Sequence, residues 1–295
     1  MINMKKSLFN ASFEESLNLE DDGFRKLQQE QHDKTEKYFK NGKPSLWFRI
    51  YSFVLGSVFA VGLNFMLLVI SFTLHDDANN LTLAITKNSF LTANVFLIGL
   101  FIWLLLVALG KFIKQNSILP YRYNFHIFTN MIWFIVELDL LFMDFIVPAI
   151  SFWGAVVICI GFLAIFIWLI VAENRHLKYL LYHRTNEVLL RDKISKTIAI
   201  YGMSLLGVAL LVKCIFFAGS VDITNSIKAF GFFITWIVIN IAAIATIILI
   251  GIPYFLQAYY KWKYPEEYRE WEGKSLEEWY GKKYLKKHKE LLEHE

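Results

Sequence analysis

Residues 149–172 read AISFWGAVVICIGFLAIFIWLIVA, 24 positions without one charged side chain. At 1.5 Å rise per residue, a helix of this length crosses a hydrocarbon core about 30 Å thick. A helix packed in a soluble core would alternate apolar and polar faces with the 3.6-residue period, and this stretch does not. Five further apolar blocks lie at about 47–73, 91–113, 125–146, 198–219 and 229–256. The expected fold is all-α, a polytopic integral membrane protein with six transmembrane helices. Blocks three and four nearly fuse at Pro148. Proline is tolerated in a first helical turn, so Pro148 is expected to open the fourth helix of a tight hairpin. The chain then divides into an N-terminal segment (1–45), a six-helix membrane domain (46–256) and a tail (257–295).

Charge placement sets the direction. Eighteen basic residues flank one set of span ends, among them Lys34, Lys43, Lys111, Arg122, Arg175, Arg191, Lys261 and Arg269; Lys87 and Lys228 alone flank the other. Basic residues are retained on the cytoplasmic side, which predicts cytoplasmic N and C termini and fits an even number of spans. The first 45 residues are polar and charged, so no cleavable signal peptide is expected and the segment suits a flexible arm or short surface helices. Richness in Lys, Ile, Asn and Phe fits an AT-rich bacterial genome, and with it a plasma-membrane location. Cys159 and Cys214 lie within apolar blocks without metal-type spacing and read as small buried hydrophobes. In the outer loop, Asn80-Leu-Thr82 matches a glycosylation acceptor by pattern alone.

The tail carries its own signal. Ser275-Leu-Glu-Glu278 has capping-box form, and Leu276, Trp279, Tyr280, Tyr284, Leu291 and Leu292 recur at helical spacing among lysines. This predicts an amphipathic cytoplasmic helix. Trp271, Trp279, Tyr280 and Tyr284 are its candidate contact residues, against the 173–197 loop of the same chain, the lipid surface or a partner protein.

Ionisable groups inside apolar blocks cost about 2.5–3.5 kcal/mol at mid-membrane, so they mark candidate sites. The third block holds Glu137, Asp139 and Asp144. Positions seven apart differ by only about 20° around a helix, so Asn130, Glu137 and Asp144 form one polar stripe. Asp139 points about 160° away from Glu137 and needs another neighbour. Lys213, in the fifth block, is placed to pair with Asp144; Asn64 and Asn240 are further polar candidates. Functionally, Glu137 would bind a proton or cation on a path between helices; structurally, it would hydrogen-bond and hold helices together. Ser52, Gly56, Ala60 and Asn64 form a small-residue stripe on the first span, and Gly154 and Gly161 a lesser one on the fourth, each permitting close helix packing.

No phosphate loop, dinucleotide turn, zinc-protease motif or serine elbow occurs. No catalytic residue, cofactor or metal site is therefore expected. His176 and His183 lack the further ligands a zinc site needs. The basic 173–197 loop is explained by topology and implies no nucleic acid. The expectation is a non-enzymatic membrane protein acting through helix–helix and tail contacts, an accessory, assembly or immunity-type component. Its partners are the lipid bilayer and another membrane protein or a second copy. The rival is a small proton- or cation-coupled transporter or channel using the acidic third span; an intramembrane enzyme comes third.

Overall fold

The computed structural model describes residues 6–19, 34, 45–78, 81, 83–110, 112, 115–182 and 225–292. Among these residues every regular element is a helix. The long elements are α2 (Leu46–Asp76), α3 (Ala93–Gly110), α4 (Leu119–Ile150), α5 (Phe152–Tyr182) and α6. Helix α6 runs through Asn225–Thr246, a π-helical turn at Ile247–Gly251, and Ile252–Lys263. Short helices lie at both ends of the chain: α1 (Phe13–Leu17), then α7 (Pro265–Trp271), α8 (Leu276–Tyr280) and α9 (Lys282–Leu285).

Four of the long helices, α2, α3, α5 and α6, are long and apolar enough to cross a membrane. The rest of the chain covers only 6% of the apolar window of α5 and 11% of that of α3. Surfaces that large and that apolar need a hydrocarbon or protein medium, since water would penalise their exposure. Helix α4 is the polar member, carrying Arg122, Glu137, Asp139 and Asp144, and it sits centrally against α2, α3, α5 and α6. The expected fifth span, 198–219, lies outside the described residues, as do Lys213, Cys214 and Asn80.

Two boundaries correct the sequence reading. Pro148 does not open α5; it lies in the last turn of α4, and the chain breaks at Ser151, whose φ is +71°. The missing N–H of Pro148 is tolerated because the carbonyl it would have served, that of Asp144, accepts the Thr86 N–H at 2.9 Å. Ser151 Oγ then takes up the Gly154 N–H at the start of α5 (3.3 Å). The tail is likewise not one amphipathic helix. Ser275 and Glu278 do form the capping box. Gly281 (φ +81°) then ends α8, and glycine is required there by that φ and because a Cβ would sit 2.7 Å from the side chain of Asn116. The close approach lets the turn before α4 dock on the tail.

Both chain ends fold together at one end of the bundle. Tyr260, Tyr268, Trp279 and Tyr280 share a buried core with Leu8, Ala11, Leu19, Leu177 and Leu181. Residues 7–11 lie in a cradle of phenols: Tyr182 OH donates to the Ser7 carbonyl (2.8 Å), Tyr264 OH to Ala11 (2.8 Å) and Tyr260 OH to Leu8. Lys263 Nζ reaches the Phe9 carbonyl at 2.8 Å. This segment makes a single turn, with the Asn10 N–H on the Ser7 carbonyl (3.4 Å), and the side chains around it supply partners for its remaining carbonyls. Of the N-terminal segment, residues 6–19 are therefore a packed element, α1 carrying its own Ser12–Glu15 capping box.

Candidate functional site

The acidic residues of α4 form a ladder in which each rung has separate partners. At the far end from the termini, Asp144 is fully buried. Its carboxylate accepts Thr86 Oγ1 at 2.7 Å, the Phe90 N–H at 3.1 Å and Ser89 Oγ at 3.2 Å. Ser71 of α2 joins the cluster through Ser89 Oγ (2.5 Å), and His75 Nε2 lies 3.9 Å from Asp144. Backbone carbonyl and carboxylate of one residue thus tie down the loop between α2 and α3. The expected Lys213–Asp144 pair involves a residue outside the described set.

Asp139 lies on another face, as its angular offset requires. Trp236 Nε1 (2.9 Å) and Asn240 Nδ2 (2.7 Å) both donate to its Oδ1, joining α4 to α6. Trp236 is itself 1% exposed, and Phe162 of α5 packs edge-on against it. The sequence reading named Asn240 but not its connection to Asp139, and missed Trp236. An apolar block containing one carboxylate calls for indole or amide donors on a neighbouring helix, and Trp236 and Asn240, four apart, share a face.

Glu137, two residues before Asp139 on α4, is 1% exposed. Its Oε1 accepts Trp133 Nε1 at 2.6 Å, one helical turn away, and its Oε2 has no hydrogen-bond partner. Trp133 is pressed onto α3, where a Cβ on Gly99 would meet the indole at 2.2 Å. Asn130 donates to the carbonyl of Ala60 (3.0 Å), in the π-helical stretch Gly56–Gly62 of α2, and Asn64 donates to the same oxygen (2.6 Å). Asn130 thus meets α2, and Asp144 the α2–α3 loop with His75 of α2 at 3.9 Å. Asn130, Glu137 and Asp144 do not converge on one centre, since two helical turns, about 10 Å, separate each from the next.

The small-residue stripe divides. Ala60 is buried at the α4 contact, Ser52 is half-buried, and a Cβ on Gly56 would meet nothing within 4 Å. Gly161 is equally open, and a Cβ on Gly154 would make ordinary contact with Ile150, at 3.4 Å. The tight contacts fall instead at Gly99 and Gly110 of α3, against Trp133 and His126 of α4. Their eleven-residue separation is three helical turns, a spacing not picked out from the sequence.

Among the four tail residues, Trp279 and Tyr280 are 1% and 3% exposed and packed within the chain, so they are not contact residues for another molecule. Tyr284 is half-buried, stacked on Tyr280 and accepting from Gln115 Nε2 (3.3 Å). Trp271 stays 53% exposed. Beneath it, Glu272 is gripped by Lys261 Nζ (2.6 Å) and Lys274 Nζ (2.5 Å). Burial would push its carboxyl up, but the two ammonium groups outweigh burial and hold it below the usual range. The described residues include no group of three or more His, Cys, Asp or Glu arranged to hold a metal. Cys159 is exposed on α5 rather than buried.

These features define a class: an all-helical chain with four helices able to cross a membrane, a central acidic helix, and chain ends folded into one module. No family model, curated protein or solved structure matches the chain.

Proposed function

We propose that the chain is a non-enzymatic, six-span plasma-membrane protein with both termini in the cytoplasm, acting as an accessory or assembly component through contacts with another membrane protein or a second copy. One observation carries this reading: the polar groups of the helices and the two chain ends are spent on fixing shape. Asp139 and Asp144 lock α4 to α6 and to the α2–α3 loop. The N-terminal segment and tail build a platform on which Trp271 stands exposed, as does Trp262 near the end of α6, 62% exposed. Exposed tryptophans flanked by charge are typical anchors for protein contacts and interfacial lipid.

The test is a photocrosslinking amino acid at position 271, with position 168 on the outward face of α5 as the lipid-facing control. A discrete protein adduct at 271, of the same mass in independent membrane preparations, supports the proposal. Lipid adducts alone at both positions refute it.

A second reading rests on Glu137 Oε2, buried and without a partner. An unsatisfied carboxylate oxygen is costly in a low-dielectric interior unless it takes up a proton or cation. Under this reading the chain moves protons or cations, and Glu137→Gln abolishes flux in proteoliposomes while the protein still folds. Absence of flux in the wild type leaves Glu137 a packing element.

A further inference from the structure

A cavity of about 510 Å³ lies between α4, α5 and α6, at the end of the bundle where the termini dock. Phe128 and Ile132 of α4 face Ile247 and Phe255 of α6 across it, and Leu8 and Phe9 of the cradled N-terminal segment wall one end. Its volume falls within the range of about 300–1,000 Å³ that organic ligands occupy. The α4 and α6 walls meet in aromatic contacts: Phe255 packs edge-on against Phe125 (5.9 Å) and Phe128 (5.6 Å). Gly251 in the π turn makes room for Phe128, whose ring a Cβ there would approach to 3.1 Å.

The lining specifies the chemistry of the occupant. Thr129 and Asn174 supply its polar side chains, and Thr129 turns its hydroxyl back to the His126 carbonyl (3.1 Å). A polar ligand would lose its hydration here without compensation. Phe125 and Ile132, both of the lining, are 39% and 43% exposed on the outward face of α4. The cavity is therefore continuous with the surface that faces hydrocarbon under the membrane reading, on which this inference rests. One residue in the wall, Phe9, has its carbonyl held by Lys263 Nζ at 2.8 Å, and that ammonium also lies 3.5 Å from the Ala11 carbonyl. The ammonium, which also lies 4.9 Å from the Tyr264 ring centroid, thus places a positive charge next to the wall residue Phe9, where it attracts an anionic headgroup.

We propose that the cavity binds one acyl chain of a bilayer phospholipid, which enters sideways past Phe125 and Ile132 and sets its phosphate near Lys263. The bound chain fills a void that the described side chains of three helices leave open, and couples the docking of residues 8–9 to lipid.

The experiment uses the full chain in phosphatidylethanolamine–phosphatidylglycerol liposomes doped with phosphatidylglycerol carrying a diazirine in its acyl chain, with the labelled residues mapped by mass spectrometry. Label is expected on the inner wall, at Phe128, Thr129 and Phe255, as well as on outward residues of α5 such as Val157 and Ile160. Thr129→Trp, which fills the cavity, is expected to cut inner-wall labelling several-fold and leave α5 labelling unchanged. Ile247→Phe fills it from the opposite wall and serves if the first variant does not fold. Lys263→Gln should narrow the preference for an anionic over a zwitterionic probe. Inner-wall labelling that is absent, or the same in the filled variants, overturns the proposal while α5 labelling keeps the membrane reading intact. Loss of labelling at α5 as well overturns both.

Discussion

Replacing Asp144 by alanine tests the most constrained corner of the structure. The substitution removes three bonds to the carboxylate, from Thr86 Oγ1, Ser89 Oγ and the Phe90 N–H. Two of the donors have alternatives: Thr86 Oγ1 lies 2.9 Å from the Asn88 carbonyl and Ser89 Oγ lies 3.0 Å from that of Leu91. The Phe90 amide has no second acceptor among the described residues and is left orphaned. A buried donor without a partner costs about 1–3 kcal/mol, and loss of bonds to a charged acceptor adds to it, so the loop should loosen by about 2–4 kcal/mol. Hydrogen–deuterium exchange of the 83–91 peptide reads this directly, as exchange about 30- to 1,000-fold faster. Asp144→Asn keeps Oδ1, which serves both Thr86 and Phe90, and should loosen the loop less. Equal protection of this peptide in the wild type and the alanine variant would refute the assignment of Asp144 as loop anchor.

Other outcomes follow from the terminal module and the α3–α4 contact. Trp279→Ala should cost about 3–5 kcal/mol by opening a cavity in the shared core, whereas Trp271→Ala should leave the melting temperature nearly unchanged. Gly281→Ala forces a Cβ into Asn116 at a positive φ and should cost about 1–3 kcal/mol, seen as a lower melting temperature and proteolytic release of the tail. Gly99→Ala should dislodge the Trp133 indole from Glu137, read as a shift in tryptophan fluorescence together with a loss of about 1–3 kcal/mol. The Glu272 carboxyl sits below its ordinary value near 4.5 in the folded protein, so the unfolded chain binds its proton more readily. Its stabilising contribution is complete above that ordinary value and is lost as pH falls through the folded one. Glu272→Gln should therefore flatten the acid limb of the stability profile of the module, measured by thermal melts from neutral pH downward.

The sequence alone determined that the long segments are helices and how they are spaced. Uncharged runs of more than 20 residues admit few other structures, because every backbone amide needs a partner that hydrocarbon does not offer. It also located the carboxylates of α4 and separated Asp139 from the Asn130–Glu137–Asp144 face, since helical periodicity fixes direction from position. Only the tertiary structure decided what each carboxylate meets. Thr86, Ser89 and Phe90 reach Asp144 from a loop more than 50 positions away, and Trp236 reaches Asp139 from a helix about 100 positions on. Nothing in a local pattern encodes such distant pairings, although Pro148, four residues beyond Asp144, did mark a carbonyl lacking its helical donor. The fate of the tail shows the same division. Its capping box was legible, because a cap is local. That Trp279 and Tyr280 turn inward against Leu8, Leu177 and Leu181, leaving Trp271 outside, was not, because an apolar stripe says that a face will be covered and not by what.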